Sequence, residues 1–520
     1  MRSPYLMALA SILLALPLAA RANVTPNPLF SDHMVLQQGV AVPVWGAADA
    51  GEQVTVTLGD AKQSATAGAD GKWMVRLPVQ KTSPAAVEMT IAGKNTITIK
   101  DVLIGEVWVG SGQSNMQMPV SGSGPYLGLT NAAEAIAGAD LPQFRMFTLP
   151  SSTAAEPLTM MKGSWIISSK TAVPSWSAVG FLFGSNLNRA LKVPVGVITT
   201  AFGASTAEAW ISREALAADP LNKPMLDAFD KSVAFFKTTP TATYAQAPVR
   251  PTPINKARPA ATGRPGDPVR DQHEPTVLFN AMINPIIPYA IKGAFWYQGE
   301  SICYGDAGVS NYGHVMASLI SDWRQRWGEG NFPFFITELP GQQNLSNNPR
   351  IREQQAAVLK MVPNAQLACV IDTGEARNVH PRNKAPLGDR LVKIARATVY
   401  GEKIEYSGPV FDSMKVEGGT IRVKFTHLGV APADKPALVA KGGPLKWFQI
   451  AGDDQKFVTA AATIDGDSVV VSSPDVKAPV AVRYAWDNYP DGCNLYNAAD
   501  FPASPFRTDT WKYPLAGIVE

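Results

Sequence analysis

The 520-residue sequence predicts an α/β protein: a doubly wound parallel sheet carrying β-sandwich or jelly-roll-like modules at its two ends. Three observations carry that prediction. Between residues 101 and 405, short apolar runs (102–109, 195–200, 293–297, 334–337 and 367–371) alternate with stretches of helical spacing (178–191, 312–327 and 353–361). Strand, crossover helix and strand in repetition is the pattern of a parallel sheet covered on both faces. Residues 23–100, and again those after 405, instead show short apolar runs separated by Gly, Asp, Asn and Pro, without helical period. Finally, about 500 residues exceed what one compact domain usually holds.

Taken in order, residues 1–22 read as a secretory signal: Arg2, an apolar stretch over 5–19, and Ala20-Arg21-Ala22 as a small-residue cleavage site. The apolar run is short for a span of roughly 20 residues, so export with cleavage is expected, to the periplasm or medium, with no membrane association afterwards. Loss of Arg2 and Arg21 leaves 44 basic residues against 43 acidic ones, a balance that points to neither nucleic acid nor anionic membrane. The β-rich region 23–100 rests on runs at 42–45, 54–57, 73–77, 89–91 and 97–99. The catalytic-type domain spans 101–405. Within it, residues 237–276 are rich in Pro and basic residues and read as a long surface loop. A β module, possibly inserted, is expected over 406–480, and 481–520 should return to the core. Three cysteines rule out a disulfide-built scaffold. Cys369 falls in an apolar run, whereas Cys303 and Cys493 fall in loop-like sequence, where pairing after export and free thiols both remain open.

Chemistry concentrates at Gly112-Gln113-Ser114-Asn115-Met116, which sets a serine just past a strand. A serine hydroxyl needs a base to become a nucleophile, and N–H donors for the oxyanion that forms. Capping a helix is the plain alternative role, and Met116 breaks the G-x-S-x-G elbow. Of the five histidines, His33 and His427 lie in outer β regions, His273 in the Pro-rich loop and His314 within a helix. His380 follows the 367–371 run, at the edge where a parallel sheet presents its ligands. Gly203, after 195–200, and Gln298, after 293–297, fall at the same edge as donors for an oxyanion. No metal-ligand spacing is present: His273-Glu274 lacks the second histidine of a zinc helix motif, because Val277 stands there.

These blocks, with Trp296-Tyr-Gln-Gly-Glu-Ser301 and His380-Pro-Arg-Asn-Lys384, resemble the ordered motifs of the SGNH-hydrolase superfamily, specifically sialate O-acetylesterase-like proteins. Pro28-Leu-Phe-Ser-Asp-His33, Trp323-Arg324 and Asn494-Leu-Tyr-Asn497 extend the likeness over nearly the whole mature chain. The resemblance implies Ser114 as nucleophile and His380 as general base and then acid. It also implies an oxyanion hole of the Ser114 N–H, the Gly203 N–H and the Gln298 side chain. The expected reaction is removal of an O-acetyl group from a glycan through an acyl-enzyme, without metal or organic cofactor.

Many members of the superfamily carry an aspartate three residues before the histidine, whereas Arg377 and Asn378 stand three and two residues before His380. Asp372 or Glu375 folding back, Asn378 or a backbone carbonyl orienting the ring, and a Ser-His dyad all remain open. The chain also resembles plant-polysaccharide acetylesterases, including the xyloglucan-active enzymes of carbohydrate esterase family 20. No Lys or Arg cluster at the motifs announces a carboxylated sugar, which favours acetylated neutral glycans over sialate. Trp486, Tyr489 and Tyr496 are candidates for a sugar-stacking wall or for core packing. A glycan-binding protein without turnover, and a lipase or thioesterase on the same core, are the competing functions. Oligomeric state is not encoded legibly.

Overall fold

The computed structural model describes residues 23–239, 267–303, 306–429 and 437–512. The expected signal segment and most of the Pro-rich stretch lie outside the described residues. The central strands are β1 (Thr96–Gly112), β2 (Leu141–Thr148), β3 (Val195–Ala201), β4 (Gly293–Tyr297), β5 (Phe334–Thr337) and β6 (Ala365–Ala368). They lie in the order β2-β3-β1-β4-β5-β6 with every adjacent pair parallel, and Trp165–Ser168 adds an antiparallel edge beside β2. The last strand ends three residues before the expected 371, where Ile371–Thr373 turns into a 3₁₀ helix.

The helices that bear on the site are α1 (Ser114–Gln117), α2 (Ala178–Leu191), α3 (Asp306–Trp327), α4 (Asn348–Met361) and α5 (Ala385–Thr398). They cover both faces of the sheet. Consecutive strand side chains point opposite ways, and on β4 Phe295 meets Phe183 of α2 at a centroid distance of 4.6 Å while Trp296 meets Trp323 of α3 at 6.0 Å. From β1 the chain passes out to β2, returns to β3, and then crosses to β4 on the other side. The crevice past the C-terminal ends of β3, β1 and β4 is therefore the topological switch point, where such sheets bind ligands.

Strand β1 has 17 residues. Its first part pairs with Ser83–Ala92 and Val35–Gln37, and its second part with β3 and β4. The boundary expected at residue 100 thus falls inside one strand, bent at Asp101, where φ is +56°. Arg145 and His33 hold the Asp101 carboxylate at 2.8 and 2.7 Å. Phe30 and Trp45 of the N-terminal region pack on Tyr289 next to β4, so both parts share one apolar core.

Residues 410–507 form small antiparallel sheets around a second core that includes Ile421, Phe448, Val469 and Tyr484. Cys369 and Ile371, just past β6, belong to it. Ala481–Tyr484 pairs with Phe448–Ala451, so the division expected at residue 480 also cuts a sheet. The segment beyond does meet the catalytic part: Arg352 of α4 donates to the carbonyls of Asp487 and Asn488, and Arg507 pairs with Glu353. All three cysteines are free and buried. Cys303 and Cys493 do not pair, because Cys303 packs under α4 against Asn348 Oδ1 (3.4 Å) whereas Cys493 belongs to the second core.

Candidate active site

Gly112 ends β1 with φ +139°, and a Cβ there would stand 2.2 Å from the Tyr297 carbonyl oxygen, so only glycine allows β1 and β4 to run this close. Gln113 then staples the two loops: its N–H donates to Tyr297 O (3.0 Å), and its Oε1 accepts from the Gly299 and Ser301 N–H groups (3.2 and 3.4 Å). Ser114 is the first residue of α1. The N-cap position is Gln113, without a capping side chain, so Ser114 does not serve as a cap. No described residue hydrogen-bonds the Ser114 hydroxyl.

Gly203 lies two residues past β3, and a Cβ on it would come within 3.6 Å of Ser114 Cβ and 3.0 Å of Gln117 Oε1. Its N–H donates to that same Gln117 oxygen at 2.9 Å, which also accepts from Tyr126 Oη at 3.2 Å. The Gly203 donor is thus beside Ser114 but engaged by a carboxamide oxygen. Gln298 is fully buried. Its Oε1 accepts from Tyr312 Oη (2.9 Å) and its Nε2 donates to Ser205 O (3.1 Å), which leaves one of the two amide hydrogens for a ligand.

The loop 374–384 brings His380 to this edge. Asn378 clamps its backbone in both directions, donating to His380 O at 2.8 Å and accepting from His380 N at 3.1 Å. The Tyr126 ring packs edge-on against the imidazole at 4.8 Å. No described residue hydrogen-bonds the imidazole itself. Burial, and then the Lys384 charge, lower the His380 pKa to about 4.

Neither expected acid reaches His380. Both oxygens of Asp372 are held by Arg390 at 2.7 Å, and one also by Tyr496 Oη at 3.0 Å. Glu375 accepts from Arg382 N (2.6 Å) and Asn378 Nδ2 (3.0 Å), so it supports the backbone clamp and not the ring. Asp372→Asn should therefore lower unfolding stability by about 1 kcal/mol, the upper scale for an ion pair that is only partly buried. Urea denaturation measures that loss, and turnover of the folded variant should stay near parental.

Tyr496 and Trp486 are buried and engaged, by Asp372 and by the Arg507 guanidinium 5.1 Å from the Trp486 ring centroid, so they pack and do not form a wall. Tyr489 alone is half-buried beside the His380 loop. The sequence reading missed a polar layer behind the edge, although each member lies inside a quoted motif. Asn115 Nδ2 donates to Val379 O (2.9 Å) and to Glu300 Oε1, and Lys384 Nζ donates to Asn115 Oδ1 and to Tyr297 Oη (3.3 Å). Only spatial proximity unites these residues, which is why spacing along the chain did not reveal them.

The model of the carbohydrate esterase, sialic acid-specific acetylesterase family matches residues 258–395, a stretch holding Gln298 and His380. Sialate O-acetylesterase of Rattus norvegicus is 29% identical over 525 residues, covering 91% of this chain and 92% of that protein. The Homo sapiens enzyme is 28% identical, covering 92% and 91%. The structure of a carbohydrate acetylesterase from Xanthomonas citri is similar at 32% identity with a TM-score of 0.78, covering 94% of this chain and 100% of that one. Likeness of this extent, on a site that gathers a serine, a histidine and amide donors at one sheet edge, shows that the chain belongs to the sialate O-acetylesterase-like carbohydrate acetylesterases, which are carboxylic ester hydrolases.

Proposed function

We propose that the protein is an exported, SGNH-type carbohydrate acetylesterase working through Ser114 and His380 on acetylated plant-type glycans such as xyloglucan. The observation that carries the mechanism is convergence at the switch point: Ser114, Gly203 and Gln298 follow three neighbouring strands, and Asn115 ties the Ser114 turn to the carbonyl preceding His380. Ser114 Oγ attacks the acetyl carbon as His380 takes its proton. The resulting oxyanion is met by the N–H groups of Ser114 and Gly203 and the free amide hydrogen of Gln298, with Gln117 displaced. Collapse expels the sugar oxygen, which His380 protonates, and water then cleaves the acetyl-serine by the same proton relay. No described carboxylate reaches the imidazole, so the Asn378 clamp and Tyr126 packing orient the ring in a Ser-His dyad.

A neutral glycan is supported by the state of Lys384 and Arg382. Lys384 is buried on Asn115 and Tyr297, and Arg382 donates to Gly128 O with Glu375 on its backbone. The second reading, a sialate ester, is favoured by the curated relatives. Export is supported by the sequence of residues 5–22. Acetate release from native acetylated xyloglucan, xylan and O-acetylated sialosides tests the substrate. Xyloglucan is expected to give the highest kcat/KM, and preferential turnover of the sialosides would overturn that choice.

A further inference from the structure

Lys384 is 2% exposed, and the reaction as described gives its ammonium no part. Ionised lysines are seldom buried without a task, because desolvation disfavours the charge. Here burial lowers the pKa to about 7, while Glu300 and Glu375 oppose that shift. The titratable groups around it are Glu300 after β4, Glu375 and His380 on its own loop, and Tyr297 on β4, whose ring lies 4.6 Å from Nζ. One hydrogen bond goes to Tyr297 Oη and another to Asn115 Oδ1.

The Asn115 contact completes the hydrogen bonding that sets the orientation of its amide. With Oδ1 held by Lys384, the Asn115 NH₂ must point away from it, toward Val379 O and Glu300. Val379 precedes His380 and Asn115 follows Ser114, so this amide is a direct splice between the two reacting segments. No described residue hydrogen-bonds the His380 ring, so its distance to Ser114 depends on how the two backbones are held.

We propose that Lys384 is a positioning residue of the esterase: by orienting the Asn115 amide it locks the Ser114 turn to the His380 loop. This rests on the Ser114–His380 reading given above. The cation's effect on His380 has a definite sign. Lys384 is charged throughout the range in which His380 titrates, since about 4 lies below about 7. Removing that charge eases protonation of the imidazole, so the acid limb of activity must move to higher pH.

The test compares Lys384→Met, which keeps much of the length without charge, with Asn115→Ala, which cuts the splice but keeps the lysine. Each is assayed on p-nitrophenyl acetate across the pH range, with thermal melts to confirm folding. Lys384→Met should lower kcat about tenfold or more, change KM little, and shift the acid limb of kcat/KM upward. Asn115→Ala should lower kcat comparably and leave that limb in place. A folded Lys384→Met enzyme with parental kcat and an unmoved limb overturns the proposal. If Lys384→Met does not fold, parental kcat in Asn115→Ala overturns it, and a loss of kcat with an unmoved limb supports it. Ser114→Ala and His380→Ala run alongside: activity surviving in these refutes the reading of the site, whereas their inactivity beside an unaffected Lys384→Met refutes only the role of Lys384.

Discussion

Ser114→Ala should abolish turnover of p-nitrophenyl acetate and of acetylated oligosaccharides, with kcat falling by about 10⁴-fold or more, the scale for removing a nucleophile that acts as a unit with its base. The fold should be untouched. The hydroxyl makes no hydrogen bond to any described residue and Ser114 is not the cap of α1, so its loss leaves no buried partner unsatisfied and melting should match the parent. What survives is the slow hydrolysis that donors and binding alone support. Acetate release at near-parental rate would remove Ser114 from the chemistry.

The second large effect is expected at Gln298. Gln298→Leu keeps the volume and removes the amide, and one lost oxyanion donor costs about 10²- to 10³-fold in kcat. Because the donor acts on charge that develops only in the transition state, kcat and kcat/KM should fall together while KM stays within a few-fold. The variant also unpairs Ser205 O, for a stability loss of about 1–3 kcal/mol, whereas Tyr312 Oη keeps its bond to the residue-298 carbonyl at 2.8 Å. A higher KM with unchanged kcat would make Gln298 a ground-state binder. Unchanged kinetics in a folded but less stable protein would make it only a strut between β4 and the 203–205 loop.

Periodicity made the core sheet legible because its strands are buried apolar runs and its helices amphipathic: 178–191 is the observed α2, and 293–297 and 334–337 are the observed β4 and β5. The strand Leu141–Thr148 escaped because Pro142, Gln143 and Arg145 interrupt its apolar pattern, although Phe144 to Phe147 are all buried. Helix Lys223–Thr238 escaped beside the Pro-rich stretch, with its buried Leu226, Phe229 and Phe236 spread among charged residues. No break in composition marks residues 100 and 480, and hydrogen bonding across them is invisible to a linear pattern. At the site, motif order indicated which loops follow neighbouring strands. It could not indicate that Gln117 covers the Gly203 N–H, that Arg390 takes Asp372 away from His380, or that Lys384 lies beneath both loops. Those outcomes depend on distances between segments far apart in the chain.

The continuity of β1 carries a consequence for how this enzyme can be altered or inherited. The strand that ends at Gly112 is, at its other end, an inner strand of the N-terminal β region, so the two parts are not a catalyst with a detachable accessory. A shortened chain beginning near residue 101 would expose the edge left by Ser83–Ala92 and Val35–Gln37 and strip support from the strand that carries the nucleophile. Such a fragment should aggregate more readily than the full chain. Exchanging the N-terminal region between relatives should succeed only when the junction lies outside residues 96–112.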